Sequence, residues 1–156
     1  MRRAPALALA GLLAATTVAC GSSKKSSTTT TAAGVTAPAD NGTPVSVEAG
    51  DTSDTVQYYK VAPVSVKAGK VTVTFKNTGN RQHEMIVLKT DAGFDSLTVG
   101  SDNKVSEDAS VGEISETDAG KTVVKTFDLT AGKYVLICNI EKHYAQGMRS
   151  AFTVTP

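Results

Sequence analysis

Residues 134–154 read YVLICNIEKHYAQGMRSAFTV. The stretch opens on an unbroken apolar run, Tyr134 to Cys138, of the kind found in a strand covered on both faces. It ends on a second strand-like run, Ser150 to Thr155, in which apolar and polar residues alternate. The intervening residues are polar and include Gly147, so they read as a connection rather than a continuing element. That connection carries Cys138, His143 and Met148, with four residues between the first two and four between the last two. The whole chain holds only two His, two Cys and three Met. Three scarce residue types are thus gathered on one loop between two strands.

Working outward, the same period of two recurs. Val45-Ser46-Val47-Glu48 alternates, Val56 to Val61 is β-rich, and Val64 to Lys67 alternates before a turn at Ala68-Gly69-Lys70. Val71 to Lys76 alternates over its whole length and is ended by Asn77-Thr78-Gly79-Asn80. Glu84 to Lys89 is apolar, and Thr122 to Leu129 is a further strand closed by Thr130-Ala131-Gly132-Lys133. About seven short strands separated by turn residues indicate an all-β protein, an antiparallel sandwich or barrel from Pro44 to Pro156. Residues 91–120 break the rhythm. They carry Asp102, Glu107, Asp108, Glu113, Glu116 and Asp118, and the expectation is a long acidic surface loop or a short helix. The chain has 156 residues and no Trp, which suits one domain. A formal charge of +1 and no Lys/Arg-rich patch exclude a nucleic-acid partner.

Singly, a buried Cys, a His or a Met is an ordinary packing residue. Together, Cys138, His143, Met148 and His83, which stands at the start of a strand after a turn, make a donor set. A thiolate with two imidazoles suits copper, and a thioether adds a weak fourth donor acceptable to both Cu(I) and Cu(II). Structural zinc prefers four firm tetrahedral ligands and rarely uses Met. Met85, beside Glu84, reads as core.

The segment YVLICNIEKHYAQGMRSAFTV resembles the C-terminal copper loop of the cupredoxins, the blue copper proteins that include plastocyanin, azurin and sulfocyanin. FKNTGNRQHEMIVL, residues 75–88, resembles their first-histidine segment, with a strand, an Asn-x-Gly turn and then His. The resemblance covers about residues 44–156. It implies a Greek-key β-sandwich and one mononuclear type 1 copper, with His83, Cys138 and His143 equatorial and Met148 axial. It also implies that Glu84 and Asn139, each directly after a ligand, bond to one another and hold the two ligand segments in register. Glu84 stands where the family often has Asn, and Glu141-Lys142 where it often has Pro-Gly.

The N-terminus is an address. Met1-Arg2-Arg3, the apolar Ala6 to Ala15 and Thr17-Val18-Ala19-Cys20 form a secretory signal over residues 1–19. Its ending resembles a bacterial lipobox, with Cys20 as the lipidated residue and Thr17 where Leu is commoner. Loss of Arg2 and Arg3 leaves 14 of the 16 Lys/Arg against 15 Asp/Glu. Residues 20–43 are Ser/Thr-rich and are expected to be a disordered linker. As a coil, its residues after Gly21, about 22 of them, would span roughly 26 Å on average and about 75 Å stretched.

Four protein ligands leave no open position for a substrate, so the expectation is an electron carrier and not an enzyme. It would be monomeric, lipid-anchored outside the cytoplasmic membrane, or secreted if not lipidated, and would meet redox partner proteins there. Extracytoplasmic copper storage or delivery through the same ligands is the alternative, although the chain lacks the Met-rich or His-rich tracts that would favour it. An adhesion sandwich with a vestigial site is a third reading, against which the intact ligand set argues.

Overall fold

The computed structural model describes residues 42–156. The signal sequence, the linker up to residue 41 and Cys20 lie outside the described residues. Nine strands follow in chain order: β1 Thr43–Ser53, β2 Val56–Ala62, β3 Ser65–Lys67, β4 Gly69–Asn77, β5 His83–Lys89, β6 Ser110–Thr117, β7 Thr122–Leu129, β8 Gly132–Ile137 and β9 Arg149–Thr155. They form a four-stranded sheet ordered β2-β1-β4-β7 and a five-stranded sheet ordered β3-β9-β8-β5-β6.

The core follows from the alternation. Val45, Val47 and Ala49 of β1 and Val71, Val73 and Phe75 of β4 point inward and are buried. They meet Met85 and Val87 of β5, Tyr134 and Leu136 of β8, and Phe152 and Val154 of β9 from the opposite sheet. Each such side chain removed from water contributes about 2 kcal/mol, which fixes the register of every strand that faces the core.

Two expectations are corrected. The sheets are mixed, not purely antiparallel, because β1 runs parallel to β4 and β3 parallel to β9. In both cases the chain leaves one sheet for the other before returning, so adjacent strands need not alternate in direction. The acidic stretch 91–120 is not one loop, and no helix occurs among the described residues. Residues 110–117 are strand β6, which pairs with β5 at the edge of the larger sheet. Its burial falls on Ile114 and Thr117 alone. An edge strand that is mostly solvated tolerates Glu113 and Glu116, and charge there discourages pairing with another chain.

Residues 90–109 remain irregular and serve as a cover. Ile86, Leu88, Val135 and Ile137 point away from the main core, yet all are buried beneath Val105, Leu97 and Val99 of this segment and Tyr144 of the loop after β8. That second layer explains why β5 and β8 are apolar on both faces.

Candidate metal centre

His83 is the first residue of β5, and Cys138 directly follows β8. The connection from Cys138 to Met148 is bonded to itself. His143 N–H donates to the Ile140 carbonyl at 2.9 Å, Gln146 N–H to Lys142 at 2.9 Å, and Met148 N–H to His143 at 3.0 Å. Cys138 N–H donates to the Met148 carbonyl at 3.1 Å, which closes the loop at its base. Gly147 has φ +112, a conformation that favours glycine, and an added Cβ would lie 2.7 Å from the Gln57 carbonyl oxygen.

This brings three donors together. Cys138 Sγ lies 3.3 Å from His143 Nδ1, and His83 Nδ1 lies 3.4 Å from the same nitrogen. The ligand atoms of all three residues fall within 4.8 Å of one another. Donors bonded at about 2.0–2.3 Å to one first-row metal sit roughly 3.5–4 Å apart in a trigonal set, so the spacing fits a shared ion. His83, Cys138 and His143 are at most 4% exposed. Met148 is fully buried in the cluster that contains Cys138, and its backbone brackets both Cys138 and His143. Met85, expected as core, lies in that same core cluster.

The protonation states are set by burial. Burial pushes His143 down to about 4, with His83 beside it adding to the effect. Burial also lowers His83, against the opposing pull of Asp51. Both rings are therefore neutral near pH 7 and can offer lone pairs. Burial pushes the Cys138 thiol up to about 12, although the backbone N–H groups of Glu84 and Ile140 favour the thiolate. A metal taken up here must displace that proton.

Glu84 and Asn139 do meet, though not through both side chains. Glu84 Oε1 accepts from the backbone N–H of Asn139 at 3.0 Å. The Asn139 side chain turns to residues 105–107 instead. Its Oδ1 accepts from Val105 N–H at 2.8 Å, and its Nδ2 donates to the Val105 carbonyl at 2.9 Å and to Glu107 Oε1 at 2.7 Å. Burial raises the Glu84 carboxyl, the Asn139 N–H lowers it, and the nearby Glu116, Glu107 and Glu113 raise it.

Several residues around the site carried no clear sequence signal. Tyr59, on β2, donates its hydroxyl to the Glu84 carbonyl. Tyr144 fixes the ligand loop to the cover, accepting from Leu97 N–H and donating to the Phe94 carbonyl, each at 3.0 Å. Lys142 N–H donates to the Asn103 carbonyl at 3.1 Å. Asp51 lies 3.2 Å from His83. Aspartate is depleted in strands, and Asp51 in VEAGDTSD is the one of these residues whose type could have raised a question.

Comparison with known proteins agrees with this geometry. The reduced auracyanin of the photosynthetic bacterium Roseiflexus castenholzii is 27% identical with a TM-score of 0.53, over 74% of this chain and 100% of that one. Rusticyanin from Thiobacillus ferrooxidans is 23% identical with a TM-score of 0.56, over 73% of this chain and 79% of that one, and shares the fold. Comparison with curated proteins gives no match. The family of copper-binding proteins of plastocyanin/azurin type matches residues 44–155. With a buried His/Cys/His set suited to one copper ion, the chain belongs to that plastocyanin/azurin family.

Proposed function

We propose that the protein is a one-electron carrier in which His83, Cys138, His143 and Met148 hold a single copper ion. The observation that carries this reading is the buried three-donor cluster, in which backbone bonds of the loop set Cys138 and His143 and strand β5 sets His83. Bound there, copper supplies a one-electron couple between its cuprous and cupric states. The chain's part is to keep that couple cheap in reorganisation. Cys138 gives up its thiol proton and supplies a soft anionic donor. His83 and His143 enter as neutral bases held by β5 and by the self-bonded loop. Phe75, Met85 and the rest of the core exclude water from one side of the donors.

The test is Cu(II) titration of the purified domain. An intense visible charge-transfer band from thiolate coordination and a reversible voltammetric wave are expected. The copper should stay bound through repeated reduction against a Cu(I) chelator. Loss of copper on each reduction would instead support delivery through the same ligands.

The anchored location is part of the proposal and rests on residues 1–20. Cys20 would carry the lipid, and the linker would let a monomeric domain reach redox partner proteins near the membrane. Mass analysis of the mature N-terminus checks it, with Cys20→Ser expected to release the protein from the membrane fraction. Retention of that variant would overturn the anchor.

A further inference from the structure

His83 has two ring nitrogens and only one faces the donor cluster. Nδ1 lies 3.4 Å from His143 Nδ1, whereas Nε2 lies 3.2 Å from Asp51 Oδ1. Asp51 comes from the other sheet. Its side chain is only 7% exposed. It sits where the β1–β2 register slips between Asp51 and Ser53, and such bulges re-aim a side chain. The carboxylate is held from further directions by the Asn80 N–H at 2.8 Å on Oδ1 and by Asn80 Nδ2 at 3.2 Å on Oδ2. Gly79 makes room for the contact, since a Cβ there would lie 2.2 Å from Asp51 Oδ1 and 2.9 Å from His83 Nε2.

We propose that Asp51 is a positioning residue for the metal centre: its buried carboxylate accepts the Nε2–H of His83, fixes the tautomer that leaves Nδ1 free for the metal, and sets a negative charge one imidazole away. This rests on the copper reading above. A carboxylate behind a ligating imidazole fixes ring orientation and raises ligand basicity, and losing such a partner typically costs 10–100-fold in metal affinity. The added negative charge stabilises the more highly charged oxidised ion over the reduced one. Asp51 therefore holds the reduction potential below the value that the four ligands alone would give. The Asn-x-Gly turn before His83 acquires a reason, because Gly79 admits the carboxylate and Asn80 grips it.

The wild type and three variants test this. Nitrogen-15 NMR of the wild-type apoprotein reads the His83 tautomer without any metal, and the Nε2–H form is expected. Asp51→Asn keeps an acceptor oxygen but removes the charge. It should retain the thiolate band, bind Cu(II) about tenfold or more weakly, change Cu(I) binding much less, and so raise the midpoint potential. Asp51→Leu should lose the tautomer preference as well. Asn80→Ala removes one bond to Asp51 without touching its charge, and should lower stability while leaving the potential in place. An Nδ1–H tautomer in the wild type, or an unchanged Cu(II)/Cu(I) affinity ratio in Asp51→Asn, overturns the proposal. Failure of the wild type to take up copper would sink the electron-carrier reading, and the apoprotein tautomer would still decide the Asp51 contact.

Discussion

Met148 and Cys138 enter one buried cluster from the two ends of one loop, yet their loss should be felt differently. A thioether is a weak, neutral donor, so its removal should leave most of the binding energy in place while shifting the balance of oxidation states. Met148→Leu, a volume-conserving change that costs under about 1.5 kcal/mol in a core, should keep copper and colour and raise the reduction potential. Met148→Gln would offer a firmer donor than the thioether and should lower it. Voltammetry reads both, a tenfold change in relative affinity corresponding to about 59 mV for one electron. An unchanged potential in both variants would make Met148 a packing residue only. Cys138→Ser should abolish the charge-transfer band and weaken copper binding outright. At this scale the chain was unusually legible, because two His and one Cys within residues 42–156 leave few other candidates for a donor set. Asp51 was not legible. Its role comes from a bulge, which has no residue pattern of its own, and from an Asn-x-Gly turn whose pattern marks the turn but not the carboxylate that it faces.

The ligand loop is braced by the irregular segment 90–109 as well as by its own hydrogen bonds. Tyr144 OH bridges Leu97 N–H and the Phe94 carbonyl, Asn139 pairs with Val105, and Lys142 N–H meets Asn103. This loop lacks Pro-Gly before its second His and is held from outside. Tyr144→Phe would leave Leu97 N–H and the Phe94 carbonyl without this partner, and because both bonds are only part-buried the loss is about 0.5–1.5 kcal/mol. A Tm lowered accordingly, with a thiolate band broadened by a looser His143, is the expected result. Gly147→Ala should cost about 1–3 kcal/mol for a side chain forced into a positive-φ conformation that favours glycine, against the Gln57 carbonyl. A Tm equal to wild type would show that the loop can relax there. Strands β1, β4 and β7 were readable because one face is wet and the other dry, which writes period two into the sequence. β6 was not, since its buried positions, Ile114 and Thr117, are three apart across a register shift against β5. The brace was hidden for a similar reason, as Val105, Leu97 and Val99 are spread singly through a polar segment.

For the whole domain, a buried donor set without metal makes stability depend on pH at both ends. His143 falls from the ordinary imidazole value of 6.5 to about 4 in the folded state. A depressed folded value means the unfolded chain binds the proton first, so stability is full above about 6.5 and declines as pH falls towards 4. That interval corresponds to about 3 kcal/mol at 1.36 kcal/mol per pKa unit, and the lowered His83 adds in the same direction. Glu84, raised by burial, acts the opposite way, because its protonation favours the folded state. At the alkaline end Cys138 rises from 9.0 to about 12. The unfolded thiol then ionises first, and stability is lost as pH climbs from about 9 through 12. The apoprotein should therefore show a plateau between about pH 6.5 and 9, falling on both sides, in urea unfolding followed across pH 4–11. Copper binds the folded state with its donors deprotonated and stabilises it by mass action. The loaded protein should have a higher Tm, and its alkaline decline should shrink to the part that buried Tyr59 contributes, because the Cys138 proton has already left while burial still holds the Tyr59 phenol well above its ordinary value. Its acid decline should steepen, since protons then compete for both imidazoles. If the apo and copper-loaded profiles run parallel from pH 4 to 11, the buried imidazoles and thiol are not the groups that take the metal.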